Sequence, residues 1–308
     1  MKSAMLTVLS TLVMVEFVLG NFANAFIALV NFIDWLKRQK LMPGDGILTA
    51  LAVSRMALLW VMLMYFHSTV FNPALYSGQV RTTVVISWAV FHHFSTWFAT
   101  ILCMFYFFKI ANFSNCFFLY LKKHIHNVIL LVLLGSLLFL YCHIALMNAK
   151  EIALASDDGG NLTQKNSTDT VHFSNIPVLT VVNLVPFTMS LLCLLLLIHS
   201  LYKHVKQMQL SGRGSQDPST KIHVKALQTM LSFLFLLAAY FFFVMAIVWS
   251  FSGQHSKPFF ILCNVLAFTC PSIHSFVLIL ISKKLNQTFW WMLGPVRCRL
   301  NKQTPSKS

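Results

Sequence analysis

The sequence predicts an all-α membrane protein, a seven-transmembrane-helix bundle with its N-terminus outside and its C-terminus cytoplasmic. Three observations carry this. The chain is 57% hydrophobic and 10% charged, with a mean hydropathy of +0.71, where a soluble domain carries about 25% charged residues. Seven apolar runs, at 5–32, 47–71, 83–108, 128–147, 176–201, 227–251 and 258–281, each reach the about 20 residues a spanning helix needs. Finally, 17 of the 23 lysines and arginines stand in short tracts after the first, third, fifth and seventh runs. Basic loops stay in the cytoplasm, which sets the orientation.

Taken in order, the first run continues past signal-peptide length without a small-residue cleavage site and reads as a signal anchor. The tract DWLKRQK follows it. The third run ends in FYFFKIANFS (105–114), with LKKHIH shortly after. Beyond the fourth run lies an acidic loop (Glu151, Asp157, Asp158, Asp169) with two N-x-S/T acceptors, at Asn161 and Asn166. Such acceptors are used only on the lumenal side, so this loop is expected outside and both asparagines are glycosylation candidates. The fifth run leads into the tract beginning KHVKQMQL, and the seventh into SKK and RCR. Residues 1–282 thus form one seven-helix domain and 283–308 a cytoplasmic tail. In the tail, Leu285, Phe289, Met292 and Leu293 suit a short amphipathic helix on the inner lipid surface. Cys298, between arginines, is a palmitoylation candidate.

The net charge of +15 would suit nucleic acid if it were gathered on one soluble domain. Spread in tracts between apolar runs it describes topology, and no nucleic-acid partner is expected. The seven cysteines form no CxxC pair and read as small buried hydrophobes. An intramembrane enzyme would need a nucleophile–base pair or a metal cluster. HExxH, GxSxG and paired transmembrane aspartates are absent, and the histidines scatter over different spans; no enzyme, metal or cofactor is expected. A transporter or channel is the alternative from another class. It would call for interrupted helices, matched halves or several charges at mid-depth, and only Glu16 and Arg55 stand within spans.

A charge near mid-bilayer costs at least about 2.5–3.5 kcal/mol, so each needs a partner or water. Counting about 1.5 Å per residue, Arg55 lies about 12 Å above the inner end of the second helix and Asn24 about 13 Å above that of the first. Glu16 stands about 12 Å higher still. Asn24 is therefore the better partner for Arg55, and His274 and Ser275 share the depth. Asn24, Arg55 and Ser275 read as a polar network that either glues the helices or switches their packing. Lys109, at the inner end of the third helix, reads either as a snorkelling interfacial anchor or as one rim of a cytoplasmic partner cleft.

The segments GNFAN (20–24), LAVSR (51–55), HFSTWFAT (93–100), FYFFKIANFS, PFT (186–188), LIHSLYKHVKQMQL (197–210), GSQDPSTKIHVKALQT (214–229) and HSFVLIL (274–280) together resemble the bitter taste receptors, the type 2 taste receptor family. The resemblance implies a plasma-membrane, multi-pass G-protein-coupled receptor. Its partners would be bitter small-molecule agonists, a gustducin-like heterotrimeric G protein and membrane lipid. The chain departs from the family at Ile281-Ser282, where Gly-Asn is usual, at His92, where many members carry Asn, and at Asn264, where close relatives often carry an acid.

Trp88 and His92 are four residues apart and share a helix face, about 8 and 14 Å below the outer end of the third helix. Tyr240 and Asn264 fall about 15 and 9 Å below the outer ends of theirs. These four are expected to line one outward-facing ligand cavity. Composition alone would make Trp88 a belt residue and Tyr240 a packing aromatic; the resemblance favours ligand contact. Without a carboxylate among them, neutral ligands are expected over cations. Tyr106 and Lys109, with His204 and Lys225, are the expected contacts of the G protein's C-terminal helix.

Overall fold

The computed structural model describes residues 2–38, 42–71, 78–157, 176–210, 218–250 and 257–292. The glycosylation candidates Asn161 and Asn166, and Cys298, lie outside the described residues, as does the side chain of His204.

In hydrocarbon, water cannot satisfy backbone N–H and C=O groups, so an apolar run of this length closes its hydrogen bonds internally as a helix. The seven runs lie on seven helices long and apolar enough to cross a membrane. These are α1 (Lys2–Arg38), α2 (Pro43–Val70), α3 (Gly78–Ile110), α5 (Ile125–Asp157), α6 (Ile176–Leu210), α7 (Pro218–Ser250) and α8 (Lys257–Ile281). Most extend beyond their runs because intrahelical bonding continues into the polar interface. Prolines open α2 and α7 and stand second in α8, where the missing N–H is an orphan in any case. Two prolines are interior, Pro186 in α6 and Pro271 in α8, and each leaves the carbonyl four residues back without its usual donor.

Two further helices were not legible as spans. The short α4 (Cys116–Lys123) lies between α3 and α5, where the sequence suggests only a basic loop. Asn115 caps it, its Oδ1 accepting from the Phe117 N–H at 3.0 Å. Its one buried side chain, Phe118, packs against the rings of Phe107, Phe108 and Phe113. Lys122 Nζ donates to the Ala111 carbonyl at 2.8 Å, so a residue counted only for topology also fastens the turn. The last helix, α9 (283–292), follows a single break at Ser282. Its Leu285 is fully buried and Phe289 meets Phe26 of α1 edge-on at 5.5 Å. Trp290, Trp291 and Met292 remain exposed.

Helix α3 is central. It touches α2, α4, α5, α6 and α7, while α1 closes the ring between α2 and α8. Buried apolar side chains form two clusters. The inner one includes Phe26, Leu102, Leu197, Met230 and Ile279; the outer one includes Phe17, Leu59, Tyr240 and Phe268. At Gly20 the helices approach so closely that an added Cβ would stand 2.3 Å from Ser272 Oγ and 2.9 Å from Leu59 Cδ1.

Candidate functional site

The outer half of the bundle brings Trp88, His92 and Tyr240 together. The Trp88 and His92 rings stack in parallel, 5.2 Å apart with 2° between planes, as expected for neighbours one helical turn apart. His92 stacks in turn on Tyr240 of α7 at 5.0 Å, and Trp88 Nε1–H donates to the Tyr240 hydroxyl at 3.0 Å. His92 Nε2 lies 2.9 Å from Asn183 Oδ1 of α6; with the amide oxygen accepting, Nε2 carries the proton. Three helices are thereby tied at one depth by aromatic stacking and two hydrogen bonds. Asn183 was missed in the sequence, although VVNLV announces it as a polar interruption at that depth.

Asn264 does not join them. It is 3% exposed, and its side-chain amide donates to the Phe260 carbonyl of its own helix at 2.8 Å. A shared depth does not fix the direction in which a side chain points, and an asparagine in an apolar wall satisfies itself on the preceding turn. The expected single cavity lined by all four is therefore corrected. His92 and Tyr240 line a small cavity of about 40 Å³, whose other walls include Arg55, Ser95, Thr96, Phe233 and His274. Trp88 belongs to the layer one turn outward. Ligand pockets usually measure about 300–1,000 Å³, well above the volume of this cavity.

Directly beneath lies the polar layer. Arg55 is 3% exposed; its Nη1 donates to Ser275 Oγ at 3.2 Å and its Nη2 to His274 Nδ1. The Ser275 hydroxyl faces Asn24 Oδ1 at 2.8 Å and the Pro271 carbonyl at 3.1 Å. The expected network is thus present as geometry with two amendments. Asn24 reaches Arg55 through Ser275, and His274, noted in the sequence only for its depth, is a direct partner. Glu16 stands apart, accepting from the Thr269 hydroxyl.

At the inner end the expected cleft residues are not brought together. Lys109 is exposed and holds its Nζ over the Phe105 ring of its own helix at 5.5 Å. That ring abuts Gly44 at the start of α2. Tyr106 is half-buried against the inner core, and Lys225 is exposed on α7. A different cluster occupies this end. Lys284 of α9 is bridged to Asp34 of α1 at 2.8 Å and Asp45 of α2 at 2.9 Å, and donates to Asn31 Oδ1 at 3.1 Å. Burial alone would lower its pKa; the hydrogen bonds and charges of Asp34 and Asp45 outweigh this and raise it above 10.5. A raised lysine stabilises the fold fully at neutral pH, and that contribution fades only as pH climbs through the folded value. Because these residues stand about 240–250 positions apart in sequence, no local spacing reveals them.

The comparisons with known proteins agree with this architecture. A family model described as "Taste receptor protein (TAS2R)" matches residues 1–297. Taste receptor type 2 member 31 of Pan troglodytes and that of Homo sapiens are each 55% identical over 300 residues, 97% of both chains. Taste receptor type 2 member 43 of Homo sapiens is 56% identical over 283 residues, 92% of both chains. With a family match along nearly its full length and seven helices able to span a membrane, the chain belongs to the taste receptor type 2 family, a receptor and multi-pass membrane protein, not an enzyme.

Proposed function

We propose that the protein is a plasma-membrane G-protein-coupled receptor that detects bitter small molecules and activates a gustducin-type G protein. The observation that carries this reading is the vertical arrangement of two layers. The Trp88–His92–Tyr240 stack, with Asn183, offers aromatic faces and a few hydrogen-bonding groups on the outward half, the usual make-up of a small-molecule site. The Arg55–His274–Ser275–Asn24 layer lies immediately below and touches the same cavity. A ligand that parts Trp88 from Tyr240 moves α3 against α7. Those helices also wall the cavity on which Arg55 opens, so ligand binding is coupled to packing deeper in the bundle. Asn264 serves this site only after releasing its bond to Phe260. Neutral ligands are favoured, since none of the stacked residues is an acid. The direct test is a calcium-response screen of a bitter-compound library in cells supplied with gustducin; the reading expects dose-dependent responses, and ion flux in vesicles without any G protein would favour a channel instead.

The orientation has its own test. An epitope inserted at Asp157 should be reached on intact cells and one after Ser308 only after permeabilisation; the reverse labelling would overturn the topology. An N-glycosidase should shift gel mobility, and Asn161→Gln should remove most of that shift, with Asn166 the lesser site. If the band pattern is unchanged, Asn161 is not the acceptor.

On the cytoplasmic side the G protein's C-terminal helix enters a groove between helix ends, the helix-in-groove mode. Its terminal carboxylate favours a basic rim, for which Lys109, Lys225 and the region of His204 are the candidates, with Tyr106 behind them. Because Lys109 rests over Phe105, it must swing outward to take part. Lys109→Gln is expected to weaken agonist-stimulated nucleotide exchange severalfold with agonist binding intact, while Lys109→Arg preserves it. Normal exchange by the glutamine variant would leave Lys109 as an interfacial anchor.

A further inference from the structure

The polar layer contains a charge without a counter-charge. Arg55 is buried at mid-depth, and its hydrogen-bond partners, Ser275 and His274, are both neutral as acceptors. Among the described residues no carboxylate pairs with it, Glu16 being engaged with Thr269. Two donors of this layer are unsatisfied as well. Arg55 Nε–H is buried without a hydrogen-bond partner among the described residues. Because His274 Nδ1 accepts from Arg55, its proton sits on Nε2, and that N–H is buried and unpartnered too.

Both residues line the 40 Å³ cavity, together with the hydroxyl-bearing Ser95 and Thr96. We propose that this cavity is a binding site for a small monovalent anion of the chloride class, held by Arg55 and the Nε2–H of His274. Its size admits a small occupant, since about 10–15 Å³ of such space is enough for one water. A water could accept from the two N–H groups but would leave the guanidinium charge uncompensated in a medium where an isolated charge is expensive. An anion does both. A cation is repelled by Arg55, and a divalent anion such as sulfate would bury a second negative charge that the single guanidinium leaves uncompensated. The occupant would lie against His92 and Tyr240, on the inner side of the Trp88 contact, where it would stiffen that arrangement.

The test uses the purified full-length receptor at fixed pH and ionic strength, with chloride replacing gluconate. The constant ionic strength holds screening of the surface charge fixed. A site that binds the folded state raises the unfolding midpoint as the ligand is added. The wild type should gain several degrees, saturably, in chloride and bromide but not in sulfate. Its ³⁵Cl resonance should show excess broadening that bromide displaces. Ser95→Val, which narrows the cavity and leaves Arg55 in place, should lose most of the saturable gain; so should Arg55→Met if it folds, and if it does not, Ser95→Val decides. Equal midpoints in chloride and gluconate, or no displaceable broadening, would mean that water alone fills the cavity. A full chloride response in Ser95→Val would place the anion elsewhere. Either result overturns the site.

Discussion

Trp88→Ala should lower agonist potency at least about tenfold, equivalent to about 1.4 kcal/mol, while surface expression holds. The indole contributes twice, through the parallel stack on His92 and the hydrogen bond to Tyr240. Removing a large aromatic anchor from a binding site costs a few kcal/mol when the ligand rests on it. Because the ring both stacks and donates a hydrogen bond, a second variant separates the two roles. Tyr240→Phe deletes the hydrogen bond but keeps the aromatic face, so it should loosen the Trp88–Tyr240 contact and change potency less than the alanine variant. Concentration–response curves for several agonists, normalised to surface receptor, make the comparison. Unchanged potency in Trp88→Ala would return the residue to a place in the interfacial aromatic belt.

The second large effect is expected at Ser275. Its hydroxyl is the link between Arg55 and Asn24, and it is fully buried. Ser275→Val keeps the volume close to that of a small side chain but strips the guanidinium of one acceptor and the Asn24 carbonyl of its donor. Leaving a buried charged donor unsatisfied costs about 1–3 kcal/mol or more. The variant should therefore lose several degrees of thermal stability and much of its surface expression. Ser275→Thr, which keeps the hydroxyl, should recover most of both. If the valine variant is as stable as the parent, water replaces the hydroxyl freely and the layer does not depend on Ser275.

What the sequence made legible follows from period and depth. Seven long apolar runs leave few options in lipid but helices, and counting residues from a basic boundary placed Asn24, Arg55 and Ser275 at a common level. The same counting could not orient Asn264, because depth is one coordinate and the direction of a side chain another; the amide bond to Phe260 decided it. Depth also passed over His274 as a partner of Arg55, since a histidine flanking a serine on an apolar helix gives no sign of which one reaches inward. The helix α4 was hidden by its own shortness. Eight residues cannot show an amphipathic period against a basic loop, and its stability comes from Phe118 in an aromatic nest and from the Asn115 cap. The cluster around Lys284 was invisible for another reason. Asp34, Asp45 and Lys284 look like ordinary interfacial charges until the chain ends are brought together by the fold. Trp88, His92 and Tyr240 were selected for a shared cavity; the structure instead stacks the three rings and lets only His92 and Tyr240 line a smaller one.

The central claim is that agonist occupancy of the outer site is read by a G protein at the inner face. It is tested most directly with purified receptor in lipid nanodiscs and purified gustducin heterotrimer, measuring guanine-nucleotide exchange with and without an agonist identified by the cell screen. The account predicts agonist-dependent exchange that is right-shifted at least about tenfold in Trp88→Ala, in keeping with the lost aromatic contact. Agonist binding with no acceleration of exchange on gustducin or a related G protein would contradict it.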